Sequence, residues 1–304
     1  MTISSIERRF RMCLPIIRFL QTFIPLPLAQ FFIKQSMARV KLVADVNREA
    51  VSADDVACEW VIPNNGLIDS VLLYLHGGGF IFGLTPLLLQ MGAYLAQHMG
   101  MRVLLADYRL APDYPFPAAL DDCVTAYHWL LKQDILAQNI VVAGDSAGGN
   151  LTITMLMKLR DSGNPLPAAA ACLSPLTDLT TKDNLSKGMK DPLLPPKAME
   201  FYAQSYVGHN DDHNPLISPV FGNLRGLPPL LVHVGEDEIL RDDAVRIAKL
   251  ARSVDVDVRM EIYSRMWHVW QLFLALPQAV QSLGDIAQFL KSHLGHAIQQ
   301  LPPN

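Results

Sequence analysis

The most informative stretch of this sequence is Val141-Val142-Ala143-Gly144-Asp145-Ser146-Ala147-Gly148-Gly149-Asn150. It carries the pattern G-x-S-x-G between an apolar β-branched run, 140–143, and a helix-compatible run, 151–160. A serine in a tight turn between a strand and a helix is held in a strained conformation that exposes its hydroxyl. The flanking glycines are needed because a Cβ there would collide with the neighbouring strand and helix. The alternative interpretation is a serine that merely caps a helix, so a base, an acid and an oxyanion hole must be sought elsewhere.

The composition indicates one large globular unit. The chain has 304 residues, of which 50% are hydrophobic, enough for one core or for a domain with a smaller cap. Its net charge is −4 and it has no lysine- or arginine-rich run, which argues against nucleic acid as a partner. The four cysteines lie far apart, without metal or redox spacing. They predict buried, reduced thiols in a cytoplasmic protein.

An apolar N-terminal segment raises the question of a membrane span. Residues 12–33 are mostly apolar, but Arg18 interrupts them. Pro25 and Pro27 further divide them into pieces shorter than the roughly 20 residues that span a bilayer. We predict two amphipathic helices that pack on the protein, with the prolines in the turn between them, and no integral membrane insertion. Loose contact with a membrane surface stays open as an alternative.

From about residue 56 onward, short β-rich runs alternate with helical stretches. Strands are predicted at 57–62, 70–75, 102–106, 140–143, 169–173, 230–234 and 256–263. Helices are predicted at 87–99, 117–132, 147–161, 242–253 and 283–293. This alternation is typical of an α/β fold with a mostly parallel sheet and helices on both faces.

Two regions break this rhythm, namely 1–45 and 180–227, the second with one amphipathic helix at 197–206. Ligands of open α/β sheets bind beyond the carboxyl ends of the strands, where such excursions can cover them. We therefore predict a single domain, 1–304, with a cap formed by these two regions.

A second motif, Leu75-His76-Gly77-Gly78-Gly79-Phe80, follows the predicted strand at 70–75. Consecutive glycines let main-chain amides approach a ligand closely, and such amides stabilise the oxyanion of acyl transfer. A phosphate cradle is the alternative, but neither G-x-x-x-x-G-K-[ST] nor a helix-opening G-x-G-x-x-G occurs. His76 is interpreted as a structural residue whose ring holds the loop through nearby main-chain atoms.

A reactive serine needs a base, and His268 is the candidate. It follows the last predicted strand, and this is where the histidine is expected, because the chain order in this architecture is serine, acid, histidine. His209 and His213 could imitate a metal site, but no second ligand pair supports one, so we predict no metal. The other histidines are interpreted as packed, helical or tail residues: His98, His128, His233, His293 and His296.

The acid should lie after the strand at 230–234, in the loop 235–243. Its role is to accept the imidazole Nδ1–H and to stabilise the imidazolium. This loop offers too many carboxylates for its composition to identify one.

Three motifs in this order, HGGGF, GDSAGG and MWH, resemble those of the bacterial hormone-sensitive-lipase family of α/β-hydrolase esterases. The resemblance covers roughly residues 55–270 and implies an α/β-hydrolase fold. It implies Ser146 as nucleophile and His268 as general base and then acid. It also implies an oxyanion hole formed by the main-chain amides of Gly78, Gly79 and Ala147, and it leaves the part of Gly77 open.

The resemblance leaves the acid open between two residues. The family usually has the first aspartate of D-P-L-x-D, and the aligned run here is Glu238-Ile239-Leu240-Arg241-Asp242. Glu is chemically competent and one methylene longer than Asp. We predict Glu238, with Asp237 as the alternative.

The resemblance implies a carboxylesterase that hydrolyses short- to medium-chain acyl esters through an acyl-enzyme, without a cofactor. It also suggests a homodimer through the last strand of the sheet. Alternatives are an amidase, a lactonase or an aryl-formamidase with the same machinery, or a non-catalytic small-molecule receptor on this scaffold. Apolar side chains of the predicted cap that could form an acyl pocket are Phe31, Phe32, Met189, Leu193, Leu194, Met199, Phe201 and Tyr202.

Overall fold

The computed structural model describes residues 5–37, 45–180 and 191–295. Within these residues, the strands are β1 (Val46–Ala53), β2 (Val56–Pro63), β3 (Leu67–Leu75), β4 (Met101–Ala106), β5 (Ile140–Asp145), β6 (Ala170–Leu173), β7 (Leu230–Gly235) and β8 (Val258–Tyr263). They form one sheet in the order β1-β2-β4-β3-β5-β6-β7-β8, in which β2 alone runs against its neighbours. The predicted, mostly parallel sheet is therefore confirmed.

The helices of the same residues are α1 (Ser5–Phe23), α2 (Leu26–Met37), α3 (Pro86–Met99), α4 (Ala118–Lys132), α5 (Ala147–Asp161), α6 (Pro196–Val207), α7 (Arg241–Ser253) and α8 (Pro277–His293). Helices α3 and α8 pack on one face of the sheet, and α4, α5 and α7 pack on the other. Neighbouring residues of β3 accordingly enter different cores, Leu72 with α3 and Leu73 with α5. Such burial on both faces explains why the central strands are continuous apolar runs.

Every strand and helix predicted from the sequence is present, with differences at the ends. Helix α8 begins at Pro277 rather than at 283, and β8 begins at Val258 rather than at 256. Strand β1 was not predicted. It is an edge strand whose side chains are mostly exposed, and its sequence, VNREAVSA, has neither an apolar run nor strict alternation.

The carboxyl ends of the parallel strands bring distant loops to one edge of the sheet. The loops after β3, β5, β7 and β8 meet there, and α1, α2 and part of 191–207 cover them. Helix α1 is fixed by Leu14, which is buried against Trp267 and Trp270. The turn between α1 and α2 contains Pro25, whereas Pro27 lies in the first turn of α2. In the part of the chain that is described, no helix is long and apolar enough to cross a bilayer.

Candidate active site

Ser146 occupies the turn between β5 and α5. Its backbone has φ +53° and ψ −114°, a conformation that residues other than glycine rarely adopt. A Cβ on Gly144 would lie 2.3 Å from the Gly148 carbonyl oxygen, and a Cβ on Gly148 would lie 1.9 Å from the Leu75 carbonyl oxygen. The two glycines therefore allow β3, β5 and α5 to approach closely, and Ser146 lines a cavity at the end of the sheet.

His268, on the loop after β8, connects Ser146 to a carboxylate. Its Nε2 is 2.9 Å from Ser146 Oγ, and its Nδ1 is 2.7 Å from Oε2 of Glu238, on the loop after β7. Glu238 is fully buried and His268 is 6% exposed. The three side chains thus form a continuous line of hydrogen bonds that is almost completely shielded from water.

Glu238 is fixed through its other oxygen. Oε1 accepts a hydrogen bond from Ser174 Oγ at 2.8 Å and another from the amide of Gly235. Burial by itself lowers the pKa of His268, but the hydrogen bond and the negative charge of Glu238 outweigh it, with help from Asp191. The pKa of His268 is therefore raised above its ordinary value, which means that the imidazolium is stabilised.

The other candidate acid, Asp237, has a different partner. Its carboxylate is 38% exposed and forms an ion pair with Arg11 of α1, with the Arg11 Nη2 and Asp237 Oδ2 atoms 2.7 Å apart. Its amide donates to the Met266 carbonyl oxygen at 2.9 Å. Glu238 therefore contacts the imidazole of His268, whereas Asp237 holds α1 through Arg11.

The glycine loop after β3 lies beside Ser146 and lines the same cavity. Gly78 and Gly79 have φ values of +114° and +61°, which favour glycine. A Cβ on Gly79 would in addition lie 2.6 Å from the ring of Tyr202. The loop can therefore follow this path, close beneath α6, only with glycines.

The main-chain amides around Ser146 differ in their availability. The Gly77 amide donates to Asp145 Oδ1 at 2.9 Å, so it is engaged. Among the described residues, no acceptor binds the amides of Gly78, Gly79 and Ala147. Gly78 and Gly79 line the cavity, and Ala147 opens α5, where the positive end of the helix dipole lies. These three amides are the ones that a bound oxyanion could use.

His76 has the structural role predicted for it. Its side chain is fully buried, and its Nδ1 is 2.7 Å from the Gly77 carbonyl oxygen. Its ring stacks on Tyr108 at 4.2 Å, and the Tyr108 hydroxyl donates to the His76 carbonyl oxygen at 2.7 Å. His76 thus fixes the first residues of the glycine loop.

The cavity beside Ser146 has a volume of about 350 Å³ and a mostly apolar wall. Of the predicted pocket residues, four line it: Leu193, Leu194, Met199 and Tyr202. Phe31, Phe32 and Phe201 are exposed to solvent instead and do not line the cavity, and Met189 lies outside the described residues. The wall also includes residues of α1 and α2 and the linker between them: Ile17, Ile24, Ala29 and Ile33.

A buried acid joins α1 to the loop that carries His268. Glu7 is fully buried, and its two carboxylate oxygens lie 2.7 and 2.6 Å from Arg265 Nη2. Arg11 bonds to Glu7 at 3.3 Å and to the Arg265 carbonyl oxygen, and it also pairs with Asp237. We call these four residues the α1 clasp. The clasp connects the first helix to both loops that supply the hydrogen-bonded line.

Two positioning residues were not identified from the sequence. Ser174 bonds to Glu238. The sequence feature that could have identified it is its position, as a polar residue directly after the buried strand β6. Asp191 is buried and accepts the amides of Leu193 and Leu194 through Oδ1 and that of Ile239 through Oδ2, at 2.7 to 2.9 Å. Asp191 thus ties the cavity wall to the residue that follows Glu238.

The remaining histidines lie outside this site. His98, His128 and His293 are helical as predicted, and His296 lies outside the described residues. His233 is buried in β7, where its Nδ1 is 2.8 Å from Ser282 Oγ, and burial lowers its pKa to about 4. Within the described residues, the one group that could hold a metal ion is Asp211, Asp212 and His213, at the surface in a loop. His209 does not join it.

Comparisons with known proteins agree with this architecture. A family model described as the alpha/beta hydrolase fold matches residues 72–272. An esterase structure from the bacterial hormone-sensitive lipase family has a TM-score of 0.88 and 35% identity, covering 97% of this chain. The predicted α/β-hydrolase fold is thereby confirmed.

Sequence relatives indicate the class of enzyme within this fold. An acetyl-hydrolase of Streptomyces hygroscopicus is 36% identical over 83% of this chain and 85% of its own length. An esterase of Acinetobacter venetianus is 37% identical over 73% and 75% of the two chains. The chain belongs to the bacterial hormone-sensitive-lipase family of α/β-hydrolase esterases, as the three motifs suggested, and is classed among the carboxylic ester hydrolases.

Proposed function

We propose that this protein is a serine carboxylesterase in which Ser146, His268 and Glu238 form the catalytic triad. The observation that carries the proposal is the line of two hydrogen bonds, 2.9 and 2.7 Å long, that joins the three side chains. A hydroxyl becomes a nucleophile when an adjacent base can remove its proton. The raised pKa of His268 supports this role because it favours the imidazolium that the transfer creates.

The reaction has two acyl-transfer steps. Ser146 Oγ attacks the ester carbonyl carbon while His268 Nε2 takes the hydroxyl proton, and the carbonyl oxygen becomes an oxyanion. The free amides of Gly78, Gly79 and Ala147 stabilise that charge. The C–O bond to the alcohol then breaks, and His268 returns the proton to the leaving alcohol. Water, deprotonated by His268, attacks the acyl-enzyme carbonyl carbon; the bond to Ser146 Oγ then breaks, His268 returns the proton to Oγ, and the acid is released.

The shape of the cavity supports a preference for short to medium acyl chains. A largely apolar cavity of about 350 Å³ suits an acyl group of a few carbons better than a long chain. The acetyl-hydrolase relative points in the same direction. A series of p-nitrophenyl esters tests the preference, and a maximum on palmitate would contradict it.

A hydrolysis screen over esters, lactones and amides tests the main proposal. We expect the highest kcat/KM on esters, and loss of at least about 10³-fold in Ser146→Ala. A serine-directed phosphonate should add one label to the wild type and none to Ser146→Ala, and treatment with a chelator should leave the activity unchanged. Faster hydrolysis of an amide or a lactone would indicate one of the alternative activities. No turnover and no labelling would support the receptor instead.

Three organisational features also belong to the proposal. We assign residues 1–45 and 180–227 to a cap over one catalytic domain, place the protein in the cytoplasm, and expect a homodimer formed along β8. Within the described residues β8 is the last strand of the sheet, and this supports the dimer because an unpaired edge can accept another strand. Light scattering tests this at micromolar concentration, where a monomer would contradict it.

A further inference from the structure

Helices α1 and α2 each have two apolar sides. Their inner sides supply Ile17, Ala29 and Ile33 to the wall of the active-site cavity. Their outer sides present large apolar residues that are 46% to 65% exposed, and we call this set the outer cap face: Met12, Ile16, Phe19, Leu28, Phe31 and Phe32. An amphipathic helix needs only one apolar side to pack on its own protein, so the second one calls for a partner.

The charge around the outer cap face is opposite to that of the rest of the chain. Residues 5–37 carry five basic residues and one acid, a net charge of +4, which leaves −8 for the remainder of the sequence. Arg11 is turned inward by the clasp. Arg8, Arg9 and Lys34 are exposed, and within the described residues no acid pairs with them.

The order of residues along α1 joins these two properties on one side of the helix. Arg8 and Arg9 are followed at helical spacing by Met12, Ile16 and Phe19, all exposed. Exposed basic residues beside a large exposed apolar surface are typical of an amphipathic helix that lies in the surface plane of a bilayer. The helices cannot span a bilayer, which leaves a position on its surface.

We propose that the outer cap face docks on the surface of an anionic lipid bilayer. The apolar side chains enter the boundary between head groups and acyl chains, and Arg8, Arg9 and Lys34 contact the lipid phosphates. Because the same two helices line the cavity, docking places the active site beside the lipid phase. The protein then receives esters dissolved in the membrane. This benefit rests on the proposed esterase activity, whereas docking itself requires no catalysis.

Vesicle sedimentation with the full-length Ser146→Ala protein tests the docking apart from catalysis. We expect binding to phosphatidylcholine vesicles that contain phosphatidylglycerol, weak binding to pure phosphatidylcholine, and weakening by salt. Phe31→Ser with Phe32→Ser, and separately Arg8→Glu with Arg9→Glu, should each lower the partition coefficient about tenfold or more. Thermal unfolding of the same double variants, followed by circular dichroism, checks that they are folded.

Matched controls alter equally exposed residues on other surfaces. Leu136→Ser removes an apolar side chain that is 60% exposed, and Arg225→Glu with Lys249→Glu makes the same change of charge as the arginine variant. These should bind vesicles like the parent protein. The exposed Cys13 offers a second readout, since an environment-sensitive fluorophore there should shift to the blue on anionic vesicles. The same dye at L136C in a C13S protein should not shift.

Three results would overturn the proposal. One is the absence of binding to anionic vesicles at low salt, and another is equal weakening by the control and test variants. The third is a dimer that becomes a monomer on substitution of Phe31→Ser with Phe32→Ser, when neither the dimer nor the monomer binds vesicles. A second copy of the chain would then be the partner that covers the outer cap face. Vesicle binding without any ester hydrolysis would instead contradict the proposed function and would still support docking.

Discussion

At the scale of single residues, two neighbouring acids, Asp237 and Glu238, have different roles. Both follow β7, and the composition of their loop could not separate them. The structure gives Glu238 three partners in the buried site and gives Asp237 one partly buried arginine. The difference depends on Ser174 and Arg11, which are 64 and 226 residues away from their partners. No local pattern in a sequence encodes such distances.

Glu238→Gln should change the pH dependence as well as the rate. In the proposed mechanism the neutral imidazole is the base, so kcat/KM should rise with pH through the pKa of His268, which Glu238 raises. Glutamine removes that charge, so the acidic limb of kcat/KM should move to lower pH, and kcat should fall about 10²–10⁴-fold. Asp237→Asn is the matched control, expected to keep the position of the limb. If the two variants exchanged these behaviours, the acid would be Asp237.

At the scale of elements, sequence patterns predicted the buried parts of the fold best. The strand before Ser146 was predicted because it is an apolar run, and the helix after Ser146 was predicted because it follows a clear turn motif. Strand β1 lacked such a signal, since its position comes from pairing with β2 and not from its own side chains. Helices α1 and α2 were predicted as amphipathic, but which of their residues face the cavity was not predicted, because both sides of each helix are apolar.

Helix α1 should influence catalysis through the clasp. Glu7→Gln removes the charge that binds Arg265, three positions before His268, and leaves a poorly paired arginine. We expect a loss of about 1–3 kcal/mol in the free energy of unfolding and a lower kcat. Chemical denaturation and steady-state kinetics measure both effects. Glu49→Gln, on the exposed side of β1, is the control; equal effects in both variants would argue against the clasp.

Helix α8 offers a stabilising substitution. Gly284 lies inside this helix, and a Cβ there would meet no atom within 4 Å. Alanine restricts the unfolded chain and favours the helix, so Gly284→Ala should raise the free energy of unfolding by about 0.5–1 kcal/mol. Thermal unfolding measures the gain. Gly148→Ala is the opposite case, where collision with the Leu75 carbonyl oxygen should prevent proper folding.

At the scale of the whole molecule, the burial of thiols reports on the integrity of the fold. Cys13 is exposed, so the prediction of a buried thiol was wrong for it, whereas three cysteines are buried: Cys58, Cys123 and Cys172. Burial raises the pKa of Cys58 and of Cys172 to about 12, and it also raises the pKa of Cys123, so that these thiols are neutral at ordinary pH. A thiolate-selective reagent at pH 8 should therefore modify one thiol rapidly in the native protein and four in denaturant. Rapid reaction of more than one native thiol would contradict the described packing.

The clasp joins residues that are 258 positions apart, and this has a consequence for synthesis of the chain. At roughly 5–20 residues per second, a ribosome adds Arg265 about 13–50 s after Glu7. During that interval α1 has left the ribosome without Trp267 and Trp270, its later packing partners. The nascent polypeptide thus carries an uncovered apolar helix that chaperones can bind, and it cannot complete the proposed catalytic triad until translation is nearly finished.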